Sequence, residues 1–254
     1  MKTTNNTILI TGGGSGIGRA LAEAFHALGN QVIISGRNSK TLDETTAANP
    51  GMKSLTVDMT DAGGIRSFAA RLETEFPALN VLINNAGIMA PENLLAPSDD
   101  SNVAEATIMT NLLGPIRLTA ALLPMFLKQS HATVMNVTSG LAFVPLAMTP
   151  TYCAAKAAVH SYTESLRHQL RETAVEVIEL APPYVATHLM GEQQAADPRA
   201  MPLDEFISEV MSILATQPGA TEILVKRVEP LRFAAVGGPE KYADVFQGLN
   251  SMMH

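Results

Sequence analysis

Short runs of apolar residues recur along the chain, each followed by a longer stretch in which apolar positions return at helical spacing. That alternation is the pattern of repeated βαβ units around a parallel sheet. It predicts strands at 8–11, 31–35, 54–57, 81–84, 133–137, 175–180 and 222–225. Between them it predicts helices at 17–28, 40–48, 61–76, 101–127, 151–171 and 203–215. Strands buried on both faces read as unbroken apolar runs, as these do. The expected fold is α/β and doubly wound, with a seven-stranded, mainly parallel sheet and helices on both faces.

The stretch from Ala181 to Pro202 breaks this alternation. It carries Pro182, Pro183, Gly191, Pro198 and Pro202 between the sixth strand and the next helix. A loop of that length at the end of a strand is expected to be an active-site lid, with 181–216 as a substrate-binding loop and helix. An ordinary surface loop is the plainer alternative.

At 254 residues, with 46% hydrophobic and 16% charged residues, the chain has globular composition and is expected to form one domain over 1–254. The net charge is −7 and no Lys/Arg cluster is dense enough to track a phosphate backbone, so nucleic acid is not an expected partner. Cys153 is the single cysteine, which leaves no intrachain disulfide. The apolar run 7–11 is too short for a signal sequence or a membrane span, so a cytoplasmic location without membrane association is the default. The six histidines show no metal-ligand spacing, and no metal is expected.

Chemistry enters at the turn after the first strand. Gly12, Gly14, Ser15, Gly16, Ile17 and Gly18 open the first helix, where free backbone N–H groups can hold a pyrophosphate. The spacing Gly12, Gly16, Gly18 departs from the common dinucleotide fingerprint, so the position after a first strand carries the argument. At the end of the second strand, where an NAD enzyme places an acid for the ribose hydroxyls, stands Gly36. Arg37 offers a charged fork suited to a 2′-phosphate, with Ser35 or Asn38 as neutral donors, so NADP (NADPH) is favoured over NAD. A solvated turn residue is the alternative for Arg37.

Tyr152 and Lys156 stand at i, i+4 on a predicted helix and share a face. Ser139 ends the fifth strand, at the carboxyl edge where open α/β sheets bind ligands, and Asn111 lies on the long preceding helix. The glycine turn, Asn84-Asn85-Ala86-Gly87, Ser139 and Tyr152-Cys153-Ala154-Ala155-Lys156, in this order, resemble the short-chain dehydrogenase/reductase family. The match runs from about residue 7 to Thr187.

The resemblance implies a Rossmann-fold oxidoreductase that moves a hydride between nicotinamide and a ketone, aldehyde or secondary alcohol. It implies Tyr152 as general acid in reduction and Ser139 as the donor that positions the carbonyl. Lys156 becomes the tyrosine-activating cation and ribose binder, and Asn111 part of a water-linked proton relay. Asn85, Ala86 and Gly87 form a cofactor-side loop, while Asn84 steadies the central sheet. Asp58 contacts adenine, with N-capping of the next helix as its alternative. Pro182, Val185 and Thr187 border the nicotinamide carboxamide, although Pro183 replaces the family's usual Gly. A homodimer or homotetramer is also implied.

A free tyrosine titrates near pH 10, and a neighbouring ammonium together with the charge of oxidised nicotinamide is expected to lower that value. For the substrate, Ser139, Leu141, Phe143, Tyr152, Tyr184, Leu189 and Met190 are candidate contacts, with Ala90, Val144 and Met148 nearby in the same mostly apolar set. For the methionines core filling is the favoured role, and Cys153 is read as packing. A neutral, partly hydrophobic carbonyl compound is the expected partner. An NADP-binding regulator without turnover is the competing function, and the complete Ser139, Tyr152, Lys156 set argues against it.

Overall fold

The structure is a computed structural model that describes residues 1–95 and 101–251. Seven parallel strands form one sheet in the order β3-β2-β1-β4-β5-β6-β7. These are β1 (Thr7–Thr11), β2 (Gln31–Gly36), β3 (Lys53–Thr56), β4 (Leu79–Asn84), β5 (Ala132–Val137), β6 (Val175–Leu180) and β7 (Glu222–Ile223). Strand order reverses between β1 and β4, so the chain leaves these two neighbours in opposite directions and opens a crevice at their carboxyl ends.

Alternate residues of each strand enter different layers. Ile8, Ile10, Val32 and Ile34 pack with Leu21 and Phe25 of α1 (Gly16–Ala27) and with Phe206 and Val210 of α8 (Leu203–Thr216). Leu9 and Ile33 face the other layer, built by Ile65 and Leu72 of α3 (Ala62–Glu75) and Leu118 and Phe126 of α5 (Gly114–Phe126). Phe25, Phe126 and Phe206 are fully buried, each contributing about 1.5–3 kcal/mol of hydrophobic stabilisation. The remaining sheet-flanking helices are α2 (Ser39–Ala48) and α6 (Pro150–Leu170).

Three elements differ from expectation. The long helix 101–127 is α4 (Ser101–Ile108), a π-helical turn at Met109–Leu113, and α5. Gly114, just past the widened turn, lies where a Cβ would come within 2.9 Å of the Met59 carbonyl oxygen, so close packing explains the glycine. By length and hydropathy alone, 102–126 would suit a membrane span; Leu118, Leu122 and Phe126 are instead buried in the layer against the sheet. Strand β7 holds two residues, because its partner β6 runs into Ala181-Pro182-Pro183 and the prolines offer no N–H to continue the ladder. After the short α9 (Glu229–Arg232), the described residues end in α10 (Gly238–Ser251), which the sequence pattern did not predict.

The 181–202 segment is hydrogen-bonded within itself. Met201 N donates to Tyr184 O (2.8 Å), Ala186 N to Met201 O (2.9 Å), and the short α7 (Glu192–Ala196) fills the space between. From α7, the Gln194 amide donates to Val185 O (2.9 Å) and Thr187 Oγ1 (3.2 Å).

Candidate active site

The crevice at the strand-order reversal is a cleft of about 420 Å³. One end is the glycine turn. Gly12 and Gly16 hold φ of +68° and +51°, conformations that favour glycine, and both line the cleft with Ser15 and Ile17. Ser15 precedes α1 but its side chain forms no capping bond, so the first helical turn presents backbone N–H groups to the cleft. That cradle fits a pyrophosphate. Gly14 and Gly18 serve differently: neither lines the cleft. A Cβ on Gly14 would meet Thr41 Oγ1 at 2.7 Å, and one on Gly18 would meet the Gly12 carbonyl oxygen and Asn85 Nδ2, both at 2.3 Å. Packing against Thr41, and across the turn against Gly12 and Asn85, accounts for glycine at these two positions.

The loop after β4 is tied to that turn. Thr11 Oγ1 accepts from Asn85 N and Ala86 N (both 3.0 Å), and Asn85 Nδ2 donates to Thr11 O (2.9 Å). Asn85, Ala86 and Gly87 line the cleft. Asn84 points into the sheet, donating to Asn136 Oδ1 (2.8 Å) and Thr119 Oγ1 (3.0 Å), and Asn136 in turn donates to Thr163 Oγ1 (2.9 Å). This buried polar chain joins β4, β5, α5 and α6 and matches the sheet-steadying part read for Asn84; Asn136 was missed because it lies inside an apolar strand.

Asn111 sits in the π-helical turn, 1% exposed and outside the cleft wall. Its amide accepts from Ile88 N (2.9 Å) and donates to Ile88 O (2.8 Å). The side chain therefore anchors the loop bordering the cleft.

At the β2 end, Gly36 stands where an acid would, and Arg37 is exposed with no ion pair among the described residues. Ser35 is fully buried and its Oγ has no protein partner, so it does not face solvent as a donor; its carbonyl accepts from Gly12 N (2.7 Å) and Gly13 N (3.2 Å). Asn38 Oδ1 accepts from Lys40 N (3.0 Å) and caps α2, which leaves its Nδ2 group as the donor. Asp58 is exposed and accepts from Thr60 N (2.9 Å) and Thr60 Oγ1 (2.8 Å). The Thr60 backbone bond leads in holding its carboxyl below the usual range, with the Thr60 hydroxyl and Arg37 adding to it against the opposing effect of partial burial. The cap of α3 is Asp61, whose side chain accepts from Gly63 N (2.8 Å); the capping alternative for Asp58 is thus overturned.

The other end of the cleft carries Ser139, Tyr152 and Lys156. Ser139 follows β5, its Oγ accepting from Leu141 N (3.1 Å). Tyr152 and Lys156 lie on the first turns of α6, and the Lys156 ammonium donates to Val137 O (2.7 Å), 5.7 Å from the centre of the tyrosine ring. Burial pushes the Tyr152 phenol well above its ordinary value, opposed by a hydrogen bond with Ser139, and lowers Lys156 to about 8. The phenol is therefore protonated across the neutral range. Burial outweighs the opposing hydrogen bond from Ser139.

Beyond Tyr152 lies a second cavity of about 350 Å³. Met89, Ser139, Tyr152, Pro182, Pro183 and Leu189 belong to the walls of both cavities. Leu141, Tyr184 and Met190 line the second, as expected for substrate contacts, whereas Val185 and Thr187 line the cleft. Phe143 lines neither: its ring meets His160 edge-on (centroids 4.8 Å apart) beneath the Arg232 guanidinium (4.8 Å). Ala90, Val144 and Met148 are likewise absent from both walls. The reading missed Leu231, Leu249, Arg199 and Arg227, which the last third of the chain brings to the second cavity.

A glycine cradle at the sheet's switch point, leading to a phenol shared with an apolar cavity, defines a dinucleotide-dependent oxidoreductase of the α/β class. Residues 6–198 match the family described as short chain dehydrogenase. The chain belongs to the short-chain dehydrogenase/reductase family and uses a nicotinamide cofactor. It is 41% identical over 254 residues to the "uncharacterized oxidoreductase DltE" of Bacillus subtilis, covering 99% of each chain. Among solved structures it is similar to a short-chain dehydrogenase from Burkholderia cenocepacia in complex with NADP (TM-score 0.83, 24% identity, 97% and 99% of the two chains). A short-chain dehydrogenase/reductase from Burkholderia phymatum in complex with NAD aligns with a TM-score of 0.78 (22% identity, 96% of each chain). At such identities these two structures speak for the fold alone.

Proposed function

We propose that the protein is an NADPH-dependent carbonyl reductase acting on apolar ketones or aldehydes, and on the corresponding alcohols in reverse. One observation carries this reading: Ser139 and Tyr152 stand on the wall common to the cofactor-sized cleft and the apolar cavity. A carbonyl placed there meets two hydroxyls on its oxygen with its carbon toward the cleft.

Bound nicotinamide supplies or accepts the hydride. In reduction, the carbonyl carbon gains that hydride while its oxygen gains the Tyr152 proton, which gives the alcohol. The raised pKa keeps that proton on the phenol until negative charge develops on the carbonyl oxygen. Ser139 Oγ–H stabilises the same charge where it appears. Lys156, held by Val137 O, places a cation beside the phenol and is the side chain for the ribose hydroxyls. The choice of NADPH rests on Gly36 and Arg37: no acid repels a 2′-phosphate, and an exposed guanidinium stands next in the chain.

The test follows NADPH consumption at the nicotinamide absorbance band over a panel of ketones and aldehydes. Wild-type protein is expected to turn over, and Tyr152→Phe to retain NADPH binding while losing about 10²–10⁴ in rate. Tight NADPH binding without turnover of any carbonyl compound would refute the reading in favour of a regulator.

A further inference from the structure

Among the described residues, the walls of the second cavity hold two arginines, Arg199 and Arg227, and no Asp or Glu. This inverts the sign of a chain whose net charge is −7. The two cations are not equivalent. Arg199 is engaged with Asp197, its Nη2 lying 2.7 Å and its Nε 3.0 Å from the carboxylate oxygens, and Asp197 also accepts from the Tyr184 hydroxyl (3.2 Å). Arg227 has no ion pair among the described residues. Its one side-chain hydrogen bond runs from Nη2 to the Arg199 carbonyl oxygen, which fixes the guanidinium and leaves the Nε and Nη1 donors for another acceptor.

The surroundings say what that acceptor is attached to. The cavity that holds the hydroxyls of Ser139 and Tyr152, shared with the cleft, and Arg227, which belongs to the cavity alone, is also lined by the apolar Leu141, Leu146, Leu231 and Leu249. Arg227 is exposed when the cavity is empty, so water solvates it at little cost. A substrate that fills the cavity strips that water and must replace it, and a carboxylate does so with the fork geometry a guanidinium matches best.

We propose that the substrates are oxo acids (or the matching hydroxy acids) whose carboxylate docks on Arg227 and whose carbonyl reaches Ser139 and Tyr152 across an apolar chain. This rests on the carbonyl-reductase reading above and names its substrate class. Arg199, balanced by Asp197, holds the Arg227 side chain through its backbone carbonyl.

The experiment compares methyl-ketone carboxylates, from levulinate to longer homologues, with their methyl esters as substrates for wild type, Arg227→Ala and Arg227→Lys. Alongside it, the rise in Tm on adding octanoate or octanol is measured for the same proteins, a readout independent of turnover. In wild type the best acid is expected to show a KM about tenfold below its ester. Arg227→Ala should raise KM for the acid about tenfold, leave the ester and kcat unchanged, and abolish the Tm rise with octanoate but not with octanol. Arg227→Lys should restore part of the acid preference. Acids no better than esters, or a loss in Arg227→Ala shared equally by both, overturns the carboxylate site while ester reduction leaves the reductase intact. If no carbonyl compound is reduced but octanoate still stabilises wild type and not Arg227→Ala, the reductase reading falls and the anion site stands.

Discussion

Glu92 closes the start of the helix that carries Tyr152 by accepting two bonds from Thr151: the backbone N–H at 2.9 Å and the hydroxyl at 2.7 Å. Thr149, the residue before α6, makes no side-chain cap, so a carboxylate distant in sequence does what an N-cap residue ordinarily does. Glu92 N also donates to Met148 O (2.8 Å). The loop after β4, whose Ile88 and Met89 border the cleft, is thereby fastened to the catalytic helix. Glu92→Ala should destabilise the protein by about 1 kcal/mol, read from urea unfolding midpoints, and lower kcat because the phenol loses its fixed placement. Glu92→Gln should recover part of both. An alanine variant with unchanged stability and rate would show that the helix start needs no such cap.

The acidity constants at the site set a direction-dependent pH profile. Lys156 is lowered to about 8 by burial, so its cation is present below that pH and is lost as pH rises through it. Tyr152 is raised by burial, so the phenol holds its proton throughout this range. For ketone reduction, kcat/KM should be level from mildly acidic pH to near 8 and fall above it as the Lys156 charge disappears. Alcohol oxidation needs the phenol without its proton and should instead climb with pH over the neutral range. Initial rates in both directions over one buffer series test this, and parallel profiles would contradict it.

Much of this architecture was legible in the chain because parallel strands and amphipathic helices leave strong periodic signals. The glycine turn and the spacing of Tyr152 and Lys156 marked the cofactor end before any geometry was known. The apolar cavity was harder. Phe143 looked like a substrate contact by proximity to Ser139, but only the fold reveals His160 and Arg232 closing around its ring. Helix α10 carries Tyr242, Val245, Phe246 and Leu249 at helical spacing, a stripe the expected elements left out; it buries no residue, yet Leu249 lines the cavity and Asn250 Oδ1 accepts from Ala147 N (2.6 Å). Glu92 and Arg227 act through partners far away in sequence, and no spacing rule links them.

The structure separates glycines that approach a ligand from glycines that let the turn close. At Gly18 a methyl group would press on the Gly12 carbonyl oxygen and on Asn85 Nδ2, both at 2.3 Å, in a position where backbone cannot move aside without opening the cradle. At Gly219 a methyl group would meet nothing within 4 Å. Gly18→Ala should therefore abolish NADPH binding by fluorescence titration and lower Tm by several degrees, whereas Gly219→Ala should leave binding unchanged. Equal behaviour of the two variants would remove the packing explanation for Gly18.

Arg37 is the feature on which the proposed NADPH preference turns, because it is an exposed cation next in the chain to Gly36, where an acid would stand. Ser35 is buried, Asn38 caps α2, and Asp58 holds Thr60. A 2′-phosphate placed there finds an exposed fork of donors in Arg37, and an exposed ion pair typically contributes up to about 1 kcal/mol. Arg37→Ala should accordingly raise KM for NADPH by about fivefold while leaving KM for NADH within about twofold. Introducing a carboxylate one residue earlier, Gly36→Asp, should act more strongly, since the new charge repels the phosphate and accepts hydrogen bonds from the ribose hydroxyls of NADH. The pair of variants separates attraction from repulsion. Should Arg37→Ala keep the wild-type ratio of NADPH to NADH efficiency while Gly36→Asp still inverts it, the preference comes from the missing acid at position 36, and the guanidinium is a solvated turn residue.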